Sequence, residues 1–104
     1  MPNMDMKQMM KQAQKMQAEM EKAQAEIANL TAEAVTGGGM VKAVACGDGS
    51  LQSIQIAAEA VDPEDVEMLE DLVLTAVNEA LRAVSEQANL RMSAVTGGLK
   101  IPGF

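Results

Sequence analysis

Between Met6 and Ala34, the apolar residues Met6, Met9, Ala13, Met16, Met20, Ala23, Ile27, Leu30 and Ala34 fall at steps of three and four without a break. Held for about four heptads, that alternation makes a narrow a/d seam, the pattern of a helix packed against another helix. The spacing predicts a first helix over about residues 4–34. The competing reading is an ordinary core-facing helix. Alanine at positions 13 and 23 permits close approach of a neighbour, and the unbranched methionines adapt to an imperfect partner surface.

The same helix carries a second stripe. At about 100° per residue, Lys7, Lys11, Lys15 and Lys22 fall within an arc of roughly 80°, centred about 150° from the seam. These lysines therefore face outward, and over about 22 Å of helix axis they form a basic line. Lysines on a helix usually do no more than solvate it, so the rest of the chain must decide what the line means.

Composition narrows the choice. The chain has 104 residues, enough for one small domain, 1–104, with a modest core. Its single aromatic residue is Phe104, so stacking on bases or sugar rings is not expected. Histidine is absent and Cys46 is the only cysteine, which removes an internal disulfide and the common catalytic pairings of that thiol. Cys46 is expected to be a buried strand residue. Neither a signal-peptide pattern nor an apolar run of membrane-spanning length is present, so a cytosolic protein is expected, with no membrane partner.

The net charge of −7 is unevenly distributed. Residues 1–18 hold Lys7, Lys11 and Lys15 against Asp5, and residues 82–104 hold Arg82, Arg91 and Lys100 against Glu86. Residues 19–81 hold Lys22 and Lys42 against thirteen acids. Fields act within a Debye length of about 8–10 Å at ordinary salt, so two mildly basic ends can attract a polyanion despite the acidic centre.

After the first helix, Gly37-Gly38-Gly39 breaks the backbone pattern. A phosphate-binding loop would need a lysine followed by Ser or Thr at a helix start, whereas this run leads into Met40–Cys46, which reads as a strand. Gly47-Asp48-Gly49-Ser50 is a turn. Leu51–Ala58 follows as a second strand with Ile54 and Ile56 on one face and Ser53 and Gln55 on the other. A hairpin alone is marginal, so a further short strand near residues 34–36, or strands from a second subunit, would complete the sheet. The β region spans about residues 35–58.

Seven acids lie between Glu59 and Asp71. Their spacing fits no calcium loop, and helix initiation explains them: Asp62 as cap, Pro63 in the first position, and Glu64, Asp65 and Glu67 near the positive helix end. A second helix is predicted over about 63–95. Val66, Leu69, Val73, Ala76, Val77, Ala80, Leu81, Val84 and Ala88 form its apolar face, with Asn78, Glu79, Arg82, Glu86 and Asn89 outside. Thr96-Gly97-Gly98 ends it, and 96–104 is a tail. Two long helices on either side of a short sheet would bring the basic start of the first and the basic end of the second to one tip.

These stretches, taken together, resemble the YbaB/EbfC family of bacterial nucleoid-associated proteins. The resemblance rests on Met9-Met10-Lys11-Gln12-Ala13-Gln14-Lys15-Met16-Gln17, Gly37-Gly38-Gly39-Met40-Val41-Lys42, Asp62–Val73, Ala76-Val77-Asn78-Glu79-Ala80, and the closing Thr96-Gly97-Gly98-Leu99 and Pro102-Gly103. It implies an α+β fold: an α-β-β-β-α subunit with two long helices flanking a small antiparallel sheet, in a tweezers-like homodimer. It also implies double-stranded DNA as partner, a place at the nucleoid, and effects on nucleoid organisation and gene expression. Lys11 and Lys15 match the family's basic motif on the first helix, and Lys42 its strand lysine. Lys7, Lys22, Arg82 and Arg91 join the candidate DNA-binding set from charge geometry. With so few cations, phosphate contact with little sequence selectivity is expected.

The alternative is an interaction adaptor for replication or recombination factors, docked through the methionine seam or the acidic helix start, without direct DNA binding. Self-association beyond a dimer is also open. An enzyme is not expected, since no nucleophile, base or carboxylate pair is set for chemistry. Neither cofactor nor metal is implied.

Overall fold

The computed structural model describes residues 5–97, whose order is α1 (Met6–Ala28), β1 (Thr31–Thr36), β2 (Val41–Cys46), β3 (Leu51–Ile56), a 3₁₀ turn (Ala58–Ala60) and α2 (Val66–Gly97). The α-β-β-β-α order and the flanking of a small antiparallel sheet by two helices agree with the expected fold class. The sheet has the order β1-β2-β3.

The first helix is shorter than the seam suggested. Asp5 caps its start, its carboxylate accepting the Gln8 N–H at 2.8 Å. At the other end the Asn29 and Leu30 N–H groups donate to the carbonyls of Glu26 and Ile27. The chain then turns into β1, so Leu30 and Ala34 do not belong to the helix. Thr31, Val35 and Thr36 are β-branched residues that suit a strand, and β1 pairs along its whole length with β2. The expected short strand at 34–36 therefore begins three residues earlier.

In β2, Val41, Ala43 and Ala45 are buried, and Lys42, Val44 and Cys46 face the other way. Cross-strand pairing puts Ile54 opposite Ala43 and Ile56 opposite Val41, with Ser53 and Gln55 on the far face as the alternation required. A bulge between Val44 and Ala45 brings Leu51 opposite Ala45, onto the same side as the isoleucines. Cys46 is only half-buried because, like Lys42 and Val44, it lies on the sheet face away from α2.

Gly37-Gly38-Gly39 is the β1–β2 turn, with φ of 63°, 68° and 103°. Three successive positive-φ residues are a conformation that glycine adopts cheaply. In the next turn the Asp48 carboxylate accepts the Ser50 N–H at 2.9 Å and also the Ser50 hydroxyl. Those bonds hold its carboxyl below the usual value. Their contribution is therefore present above the ordinary carboxylate range and is lost as pH falls through the lowered folded value.

The start of α2 differs from expectation. Asp62 accepts the Glu64 N–H at 2.9 Å and the Asp65 N–H bonds the Asp62 carbonyl, so Asp62-Pro63 makes a turn ahead of the helix. Asp65 takes the cap position, its carboxylate accepting the Met68 N–H at 3.3 Å. Val66, expected on the apolar face, is exposed. The helix lies across β1 and β2, where Ala76, Ala80 and Val84 pack on Ala32, Val41, Ala43 and Ala45. The Thr36 hydroxyl donates to the Leu72 carbonyl at 2.9 Å and pins one end.

This core is built mainly from alanine and valine, which lets helix and sheet approach closely. Replacing Ala80, fully buried, with leucine would force the two apart. The expected cost is about 1–3 kcal/mol, read as a lower thermal midpoint at fixed protein concentration.

The molecule is elongated. Its radius of gyration is 20.8 Å and its longest extent 77 Å, against about 13 Å expected for the radius of a compact chain of this length.

Candidate nucleic-acid interface

Elongation comes from how α1 is mounted. Its lower end meets α2, where Ala23 is fully buried and Ile27 half-buried. There the Arg91 Nε–H donates to the Glu26 carboxylate at 2.7 Å, and a second guanidinium nitrogen pairs with the same oxygen. From Glu26, α1 runs antiparallel to α2 and away from the sheet. Lys7 lies about 28 Å beyond Glu26 along the axis, whereas Gly97 lies only about 9 Å beyond Arg91.

The expected joint tip is therefore not formed by the described residues. Among the described residues, the upper half of α1 projects past α2 as an arm. Arg91 is tied to Glu26 at the base of the arm, and Arg82 sits farther down α2, exposed, beside the sheet. Lys100 lies outside the described residues.

Lys7, Lys11, Lys15 and Lys22 are all exposed on α1 and form no ion pair with another described residue. Lys7, Lys11 and Lys15 step along the arm at about 6 Å intervals on one face. Asp5, the one acid up to residue 18, is engaged in capping the helix. Lys42 is elsewhere, on the sheet face away from α2, where its ammonium meets the Glu33 carboxylate at 3.4 Å. Thus the structure brings four of the seven candidate cations into one line and separates Lys42, Arg82 and Arg91 from it.

The lysine face of α1 can do one kind of chemistry well: present point charges, without stacking rings, along about 22 Å. That suits a regular row of anions. Among the described residues no three His, Cys, Asp or Glu side chains converge as metal ligands, and no helix is long and apolar enough to cross a membrane.

Sequence reasoning missed two features that build this geometry. One is the Glu26–Arg91 pair, which α2's Arg91 alone could not reveal. The other is Gly47, whose N–H donates to the Leu30 carbonyl at 2.9 Å and whose hydrogen side faces the Ile27 backbone.

Known proteins share both sequence and shape. A nucleoid-associated protein of Ruminiclostridium cellulolyticum is 55% identical over 101 residues, covering 96% of this chain and 88% of that one. Another, from Desulforamulus reducens, is 56% identical over 100 residues, covering 96% and 95%. Among solved structures, the uncharacterized protein HP0035 from Helicobacter pylori superposes with a TM-score of 0.70 at 26% identity, covering 89% of this chain and 99% of that one. A sequence model of the YbaB/EbfC DNA-binding family, which is not an enzyme family, matches residues 1–99. With the relatives above half identical over nearly the whole chain and the family match running over residues 1–99, the chain belongs to the YbaB/EbfC DNA-binding family.

Proposed function

We propose that this chain binds double-stranded DNA as a homodimer, chiefly through phosphate contacts from α1, with little sequence selectivity. It acts in the cytoplasm, at the nucleoid. The observation that carries this reading is the projecting arm: in a chain of net charge −7, Lys7, Lys11, Lys15 and Lys22 are segregated on one exposed helical face. Measured along the duplex axis, the line matches the rise of roughly six phosphates of one strand. Arg82 extends the set on α2, while Lys42 and Arg91 contribute to the local field around their carboxylate partners.

Dimerisation is supported by an apolar face that the subunit leaves open. Leu51, Ile54 and Ile56 on β3 point to the same side as α2, but α2 lies over β1 and β2 and leaves them half-exposed. Leu69, Val73, Leu74 and Val77 border the groove between α2 and Ile56, and Leu74 is 60% exposed. A patch of this kind marks an association surface more often than a solvated one. At low protein concentration the Ile54→Asp/Leu74→Asp variant is expected to sediment as a monomer and to bind DNA more weakly, because it loses the second arm.

The reading is tested by fluorescence anisotropy of a short labelled duplex at low salt, with unlabelled duplexes of unrelated sequence as competitors. Binding with competition within about threefold among sequences is expected. Absence of binding at low salt would overturn it in favour of the adaptor.

A further inference from the structure

The seam on α1 divides into two parts. Ala23 and Ile27 are covered by α2, whereas the same a/d register continues outward through Met20, Met16, Ala13, Met9 and Met6 onto the arm. There Met6 is 77% exposed, Met9 55% and the neighbouring Met10 58%. A solvated arm needs no such row: helix-forming polar residues would serve equally well and cost less apolar exposure.

We propose that the Met6–Met20 seam is a second self-association surface, on which the arm of another copy of this chain packs. Three observations select a copy of the same chain as occupant. The surface continues, without a change of register, a helix–helix interface that this chain already makes. The positions that flank the exposed seam are Met10 and Gln17 on one side and Gln12 and Glu19 on the other, with no lysine among them. Gln12 and Gln17 each offer a donor and an acceptor at once and so satisfy their counterparts on an identical arm, with Glu19 the one charge among the four, whereas a foreign partner helix is usually selected by charges at these positions.

The third observation is the placement of the lysines. Lys7, Lys11 and Lys15 occupy the outer positions of the same heptads, so two arms meet seam to seam without bringing their cations together. The basic stripe stays open. Two heptads of methionine and alanine bury little area, and the association is weak, with a dissociation constant on the order of 10⁻⁵ to 10⁻⁴ M.

The test is sedimentation velocity of the whole chain, without DNA, over a wide concentration range, beside the Met6→Gln/Met9→Gln/Met16→Gln variant. Glutamine keeps helix propensity and adds no charge. The parent is expected to associate with rising concentration through a step that the variant weakens by tenfold or more, and that the Ile54→Asp/Leu74→Asp variant retains. Methyl carbon resonances of Met6, Met9 and Met16 in the parent are expected to move over the same range. A parent that stays a single species throughout, methionine methyls that do not move, or a Met→Gln variant that associates as the parent does would overturn the proposal. Loss of the only dimer in the Met→Gln variant would support it and would count instead against the β3–α2 dimer surface.

Discussion

The Gly47→Ala variant loses more than about 3 kcal/mol of stability, and its thermal midpoint falls by roughly 12–24 °C at fixed concentration. The φ of Gly47 is not what demands glycine, since among the described residues the positive-φ glycines are Gly37, Gly38, Gly39 and Gly49. The reason is contact. A Cβ at position 47 would overlap the Ile27 carbonyl oxygen and come within 2.7 Å of its carbon. Both neighbours are backbone, so no side chain can turn aside. Relief requires moving the end of α1 off the β2–β3 hairpin, which breaks the 2.9 Å bond from the Gly47 N–H to the Leu30 carbonyl and disturbs the packing of Ala23. Calorimetry of the variant checks this, and a midpoint within about 4 °C of the parent would contradict it.

The Lys7→Glu/Lys11→Glu/Lys15→Glu variant folds as the parent does and binds duplex DNA more than about 100-fold more weakly at low salt. Folding is spared because all three side chains are exposed and none is paired with another described residue. Binding suffers because each arm changes from a row of cations to a row of anions facing the phosphates. A Lys42→Glu variant separates this from a general charge effect. Lys42 sits on the other sheet face and already pairs with Glu33, so its reversal is expected to change affinity no more than about threefold. Circular dichroism verifies the fold, and anisotropy measures the affinity; equal losses in the two variants would contradict a role specific to the arm.

Much of the architecture is legible in the residues. The periods of 3.6 and 2 separate two helices from a central β region, and the Ile54/Ile56 and Ser53/Gln55 faces emerge as the alternation requires. The boundaries are less legible where two patterns overlap. Leu30 and Ala34 extend the helical rhythm beyond Ala28, although Asn29 and the β-branched Thr31, Val35 and Thr36 already announce a turn and a strand. Asp62-Pro63 resembles a helix start more strongly than Asp65 does, yet the Asp62 side chain closes a turn instead.

The basic stripe follows directly from spacing, because it depends only on one helix. The described residues do not form the expected tip, for a different reason: such a tip depends on how α1 slides along α2. That register is fixed by Gly47, where the end of α1 touches the hairpin, and by Glu26 meeting Arg91. Neither contact leaves a periodic trace in the sequence. Likewise, the half-covered isoleucines of β3 become recognisable as an open face only once α2 is seen to lie over β1 and β2.

The most direct measurement of the central claim is the slope of log affinity against log salt for duplex binding, compared between the parent and a Lys7→Gln/Lys11→Gln/Lys15→Gln variant. Each phosphate neutralised on B-DNA contributes about −0.9 to that slope. If the arm lies along the backbone, the parent shows a steep slope and the variant a shallower one, by roughly three units for each arm engaged. A parent slope near zero, or the same slope in both proteins, would contradict phosphate contact through α1.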